Sequence, residues 1–377
     1  MSAYVRGRVD AITGPDAQSA LEELKDVEAL EDQLDHLPTI CRFHYEPVAA
    51  GIASILDPIA HRYSDGISYL RSNPSDAAFT TLRVVECQLS WIINVIGAII
   101  GGAAQASSPY FSSYGYVGSS TASTASPSSL SDEACDADLA RRVLTLMSQV
   151  DTRLSSAMLM HQQGGLPAAA TSVLRMFRCD ERLELSFVYF MSNFRKAYVT
   201  EQAGMPSATE SAGGGGHSGT AAALLLAPTP PAPGVAAPSG TLPSMQEMLE
   251  SATGRRKAFL GMLVRMGLGD HLAIVTSMIQ KLGNNLRYWG EHQDVVKRTL
   301  EVLHDLVFAY SSGKLLLTLD CVGAMLLNHT ADHFPFLGNP ANTHLRTTFY
   351  TTLARLVFME DESEVRACER GGGGGGS

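Results

Sequence analysis

Residues 282–290 read LGNNLRYWG, residues 294–338 read DVVKRTLEVLHDLVFAYSSGKLLLTLDCVGAMLLNHTADHFPFLG, and residues 345–358 read LRTTFYTTLARLVF. Within this stretch Val296, Leu300, Leu303, Val307 and Tyr310 recur at three- and four-residue steps, which places them on one face of a helix. Ser311-Ser312-Gly313 then offers a flexible residue where a helix stops and the chain turns back. A second apolar helix is predicted from about Lys314 to Asn328. The unit is a helical hairpin with one apolar face per helix. Alone it cannot hide that surface, so it must stack on neighbours.

The rest of the chain supplies them. After an N-terminal extension (1–18), residues 19–37 form an acidic amphipathic helix with Leu21, Leu24, Leu30, Leu34 and Leu37 on its apolar side, and Pro38 ends it. A long helix from about Pro47 carries Val48, Ile52, Ile55, Ile59, Tyr63, Ile67 and Leu70 in register, with Pro58 expected to kink it. Ser72-Asn73-Pro74 turns the chain. The following helix, with Leu82, Val85, Leu89, Ile92, Ile96 and Ile99, becomes apolar on nearly all sides and so should be covered on both flanks.

Residues 103–130 are a low-complexity insert of Ser, Gly, Ala and Tyr. Helix resumes at Ser131 or Asp132, with Leu139, Val143, Leu146, Val150 and Leu154 in step. Beyond a Gly164–Pro167 spacer, Leu183, Phe187, Phe190, Phe194 and Tyr198 make an aromatic stripe that closes a block of helical repeats over 19–202. Residues 203–243 are a Gly/Ala/Pro linker whose composition cannot offset the entropy of ordering it. A second block of repeats, 244–359, begins near Met245. It includes a helix capped by Asp270, with Leu272, Val275, Ile279, Leu282, Leu286 and Trp289 in step. The tail, 360–377, is acidic and Gly-rich. No strand-type alternation of useful length occurs. The expected class is all-α, a HEAT-like helical-repeat solenoid (an α-α superhelix) interrupted by disordered inserts.

The charge balance is 28 basic against 38 acidic residues, a formal net of −10. Such a surface repels phosphate backbones, and the one local basic run, Arg255-Arg256-Lys257, reads as a solvated edge; nucleic acid is not an expected partner. Cys41, Cys87, Cys135, Cys179, Cys321 and Cys368 are scattered with no C-x-x-C, which points to reduced, buried thiols. The N-terminus lacks the apolar core of a signal peptide. The most apolar run, Trp91 to Gly102, is about a dozen residues against the roughly 20 needed to cross a bilayer, so an intracellular protein with no membrane partner is expected.

The motifs that could carry chemistry each have a plainer reading. His329 and His333 have i, i+4 spacing, but no glutamate stands beside the first and Pro335 breaks the helix just beyond. Asn328-His329-Thr330 matches a glycosylation acceptor that an intracellular chain never presents to the enzyme. Gly213–Gly219 follows no strand and lacks a Gly-Lys-Ser/Thr ending, and Ser218 lacks the spacing of a nucleophile elbow. The stripe through Phe187, Phe190, Phe194 and Tyr198 is read as core, and Gly97 with Gly101 as a tight helix contact. No catalytic, metal or cofactor-binding residue is predicted, and no cofactor.

The particular residues go further than their periodicity. The run from Leu286, LRYWGEHQDVVKRTLEVLHDLVFAYSSGKLLLTLDCVGAMLLNHTADHFPFLG, and LRTTFYTTLARLVFM from Leu345 closely resemble the middle of the exportin-7 (Ran-binding protein 16) family of the importin-β, or karyopherin, superfamily. QLDHLPTICRFHYE from Gln33, LSWIINVIGAIIGG from Leu89, RVLTLMSQVDTRL from Arg142 and RLELSFVYFMSNFRKAYV from Arg182 resemble upstream parts of the same region in the same order.

The resemblance implies a HEAT-repeat nuclear transport receptor that binds protein cargo together with Ran in its GTP form. It implies passage through the pore on nuclear pore proteins, and residence in cytoplasm, nucleus and nuclear pore. It implies no enzyme, since the GTPase cycle belongs to Ran. A central fragment is expected: the chain is shorter than a family member, and the N-terminal repeats that serve as the superfamily's main Ran contact have no counterpart in it. The inserts at 103–130 and 203–254 depart from the family pattern. Which residues meet cargo or Ran is left open. Two further classes stay open beside this one, a helical-repeat scaffold unconnected with transport and an enzyme whose site lies outside these motifs.

Overall fold

Helices that hide one face on their neighbours must come in layers, and here they form two. The computed structural model describes residues 1–73, 75–106, 127–163, 177–199, 271–309 and 316–358. The helices are α1 (Ser2–Ala11), α2 (Ala17–Glu23), α3 (Val27–Leu34), α4 (Leu37–Cys41), α5 (Tyr45–Ser72) and α6 (Asp76–Ala106). They continue with α7 (Pro127–Gln162), α8 (Glu181–Phe194), α9 (His271–Tyr288), α10 (Gln293–Ala309), α11 (Asp320–Leu327) and α12 (Thr343–Val357). Among the described residues there is no strand.

One layer runs α1, α5, α7, α9, α11 and the other α4, α6, α8, α10, α12, each helix packed on the next in its layer or ion-paired to it. The chain alternates between the layers, so α5–α6, α7–α8, α9–α10 and α11–α12 are successive helical pairs. This is an array of helical repeats, as the periodicity predicts. Val296, Leu300, Leu303 and Val307 are all buried on α10, facing α8, α9 and α12. Tyr310 and Ser311–Gly313 lie outside the described residues, as do the linker at 203–243, the start of the second block near Met245, the expected Asp270 cap and the tail.

α6 is the centre of the first block. Every residue from Val85 to Ile100 is buried, because α4, α5 and α8 cover it on different sides. The expectation of cover on both flanks holds. Over Asp76–Gly102 this helix is long and apolar enough to span a bilayer, longer than the dozen-residue run read from sequence, yet 89% of the window is buried inside the protein. Its apolar surface is spent on neighbouring helices.

Four boundaries differ from the sequence reading. Residues 19–37 are not one helix: α2 stops at Glu23, and Asp26 starts α3 afresh by accepting the amide of Ala29 at 3.1 Å. Pro38 does not end a helix but stands in the first turn of α4, where its missing N–H has no role to lose. The insert is shorter than 103–130, since α6 reaches Ala106 and α7 begins at Pro127 instead of Ser131. The helix read over 314–328 is interrupted: residues 314–315 lie outside the described residues, Leu316 and Leu317 are helical, and the extended Leu319 separates them from α11. Pro58 sits inside α5, which runs on through it from Tyr45 to Ser72. The N-terminal extension carries α1, whose Val5 and Val9 are buried against α5 and α6.

Candidate interaction surface

The outer face of the α6–α8–α10 layer is set by how closely its helices approach. A Cβ on Gly97 would lie 3.1 Å from the Cα of Phe190, and one on Gly101 would lie 2.6 Å from Oδ1 of Asn193. The two glycines therefore let α8 lie backbone-close on α6, the tight contact their spacing predicts. Phe187, Phe190 and Phe194 are wholly buried by that contact and stack along α8, Phe190 on Phe194 at 5.6 Å. The aromatic stripe is core.

A buried polar seam fixes α8 from the other side. Arg153 of α7 meets Glu86 of α6 at 2.5 Å and donates to the carbonyl of Arg178 at 3.0 Å, while Glu86 accepts the amide of Asp180 at 2.7 Å. Burial opposes the Arg153 charge, and Glu86 first, with Tyr63 and Cys179 behind it, more than offsets that, raising the guanidinium pKa above its ordinary value. Asp180 caps α8 by accepting the amide of Arg182 at 3.0 Å. Lys281 of α9 then bridges Glu184 of α8 and Asp151 of α7, each at 2.7 Å. Burial works against the Lys281 ammonium, but Asp151 and Glu184 raise its pKa above the ordinary lysine value.

The end of α8 is clasped as well. The helix passes into a π turn, Arg195–Val199, whose Tyr198 hydroxyl donates to the buried carboxylate of Asp136. Tyr45 donates to the same carboxylate, and Arg42 reaches it at 2.8 Å while also donating to the carbonyl of Ile99. Arg195 pairs with Asp305 of α10 at 2.6 Å. α8 is thus tied at both ends, to α6 and α7 at its start and to α7 and α10 at its finish.

Between α8 and α10 the outer face opens into a groove of about 340 Å³. Tyr189, Asn193 and Lys196 form one wall, Arg298, Glu301 and Asp305 the other, and Glu31 of α3 stands at the end. Arg298 links the elements, 3.4 Å from Glu31 and 3.9 Å from Glu301. This is a mixed-charge, partly apolar recess suited to holding a polypeptide segment. It offers no nucleophile and base in hydrogen-bond reach.

The other singled-out residues fall apart in space or in kind. His329 is exposed and its Nδ1 lies 2.6 Å from the carbonyl of Leu326. His333 packs edge-on against Phe334, and burial holds its pKa below the usual histidine value. Among the described residues no group of three or more His, Cys, Asp or Glu side chains is placed to hold a metal. Cys41, Cys87 and Cys179 are buried free thiols, and burial pushes Cys41 and Cys87 up to about 11. Arg255–Lys257, Gly213–Gly219, Ser218 and Cys368 lie outside the described residues.

Sequence reasoning missed the seam altogether. Its partners are far apart along the chain, Lys281 from Asp151 and Glu184 above all. A weak signal existed: Lys281 and Asn285 stand at core positions of an apolar helix face, in register with Met278, and all three are buried.

A family model described as the exportin-7-like TPR domain matches residues 15–111 and 116–345. Exportin-7-B of Xenopus laevis is 28% identical over 370 residues, covering 96% of this chain and 25% of that protein. Ran-binding protein 17 of Homo sapiens is 26% identical over 372 residues with the same coverage. Ran-binding protein 16 of Drosophila melanogaster is 25% identical over 374 residues, covering 97% of this chain and 25% of its own length. The chain therefore spans about a quarter of the length of the curated relatives it matches. No solved structure matches it.

Proposed function

The chain belongs to the exportin-7-like family, and from that premise we propose that it is a section of a nuclear transport receptor. In this reading the receptor takes protein cargo together with Ran in its GTP-bound form and carries it through nuclear pores, moving between nucleus and cytoplasm. The observation that carries the reading is the family match over residues 15–111 and 116–345, laid on an array of stacked helical pairs. The names of the relatives, exportin and Ran-binding protein, point to export and to Ran.

The physics of the array fits a binding role. Stacked pairs present long continuous faces to a partner, and a net charge of −10 favours basic patches on it. The work of this section is recognition, with GTP hydrolysis left to Ran.

The test is capture of Ran by the full-length gene product, with Ran locked in its GTP form beside a GDP-loaded control. Enrichment of the GTP form is expected. Equal capture of both forms would sink the transport reading and leave a helical-repeat scaffold.

A further inference from the structure

The two blocks of helical pairs are joined along the chain only through residues 200–270, between the π turn at Arg195–Val199 and α9. In space they are joined by the surface that α7 and α8 present to α9 and α10. A connection of about 70 residues raises the local concentration of what it tethers to about a millimolar at most. It cannot by itself set how one block sits on the other. The side chains that cross the junction decide that.

Their charges follow an order. Just before α8, Arg178 lies 3.6 Å from Glu291, donates to the carbonyl of Tyr288 at 3.2 Å and covers the Trp289 ring at 5.4 Å. In the first turn of α8, Glu184 takes Lys281, whose ammonium also reaches Asp151, and Asn284 donates to the Asp151 carboxylate at 3.1 Å. At the end of α8, Arg195 takes Asp305. The first block thus presents positive, negative, positive along α8, and the second answers negative, positive, negative. Shifted by one place in this series, like charges would face each other. That is costly here, because Lys281 and Glu184 are buried away from water. Such a pattern selects one partner in one register. Apolar surface supplies the attraction: Phe187 and Val188 of α8 and Val302 and Leu303 of α10 are all buried where the two helices pack.

We propose that this junction is a self-sufficient recognition interface: the α7–α8 surface binds the α9–α10 pair as it would a separate polypeptide, so that cutting within 200–270 leaves the array one body. The partner this surface fits is a helical pair carrying acid, base and acid at the places of Glu291, Lys281 and Asp305, with the base buried between two carboxylates. The inference concerns assembly and stands whether or not the array serves in nuclear export.

The experiment uses the full chain with a site-specific protease sequence in place of Gly213–Gly216. It is cut after folding, diluted to about 1 μM and passed through a sizing column. The two pieces should elute together at the position of the uncut chain. Separation or precipitation of the pieces would overturn the proposal. With Arg195→Glu, which faces Asp305 with a second carboxylate, the concentration at which the cut pieces part should rise about tenfold. Adding Asp305→Arg to that variant restores the pair in reverse and should return the value most of the way. An unchanged value for the first variant, or no recovery in the second, would overturn the charge order as the source of recognition. Should Arg195→Glu fail to fold before cutting, Asp305→Arg alone takes its place. That site is half-exposed, the change sets two cations together, and the same tenfold rise is expected.

Discussion

Lys281 of α9 and Glu184 of α8 meet at 2.7 Å with both side chains only 1% exposed. Asp151 of α7 takes the same ammonium, so one buried cation joins three helices from both layers. Breaking such a pair leaves an uncompensated charge in the interior. Lys281→Met should therefore cost about 3–5 kcal/mol, read as a lower urea midpoint. Combining it with Glu184→Leu should recover much of that loss. Equal destabilisation in single and double variants would mean that packing, and not charge, holds the three helices.

Asp136 makes the matching point at the other end of α8. It gathers the hydroxyls of Tyr45 and Tyr198 and the guanidinium of Arg42. Asp136→Ala should destabilise by about 3–5 kcal/mol, because it strands a buried guanidinium. Hydrogen exchange should rise first in the π turn, Arg195–Val199, which Tyr198 anchors. Unchanged protection there would remove the clasp from the account.

The two glycines of α6 should not be equally sensitive. At Gly97 a new methyl meets the backbone of α8, which cannot step aside, so Gly97→Ala should cost about 1–3 kcal/mol. At Gly101 it meets the flexible amide of Asn193, and Gly101→Ala should cost less. Thermal denaturation of the two variants gives the order, and a reversed order would contradict the close α6–α8 approach.

Tyr189 should make stability depend on pH. Burial first, then the carboxylates of Glu31 and Asp35, push its phenol up to about 12. The unfolded phenol ionises near 10, so the folded state holds its proton longer. Its contribution to stability is complete below about pH 10 and is lost as pH rises toward 12. The unmodified chain should thus lose more stability than Tyr189→Phe across that window. Parallel pH curves for the two proteins would show that the folded state does not hold the Tyr189 proton.

Position within a helix pair decides the cost of a charge. Leu303 is 1% exposed in the core of α10, and Leu303→Asp should cost several kcal/mol and unfold the pair locally. Leu327, at the end of α11, is 82% exposed, and Leu327→Asp should change stability by less than about 0.5 kcal/mol. Comparable losses at both positions by circular dichroism would be incompatible with the layer assignment.

Much of the fold can be read from the apolar periodicity. The faces of α5, α6, α8, α9 and α10 follow from three- and four-residue steps because each helix buries one stripe against neighbours close in the chain. The helix boundaries near Asp26, Pro38 and Leu319 could not be read so well. A proline or aspartate there is compatible with either stopping or starting a helix, and the packing of the flanking residues selects one. The groove was not legible at all. Its walls come from residues near 31, near 190 and near 300, and no local pattern records that they meet.

The sequence alone determined an all-α array of helical pairs and, through its particular residues, the exportin-7-like family. Both rest on short-range information: helical period and local residue identity are carried by neighbours in the chain. Only the tertiary structure decided that Glu86, Arg153, Glu184 and Lys281 are paired inside the array, and that the acidic segment read as a simple amphipathic helix breaks and lies over α6 and α8. Those outcomes depend on which distant groups can satisfy a buried charge, and that depends on three-dimensional distance instead of order along the chain.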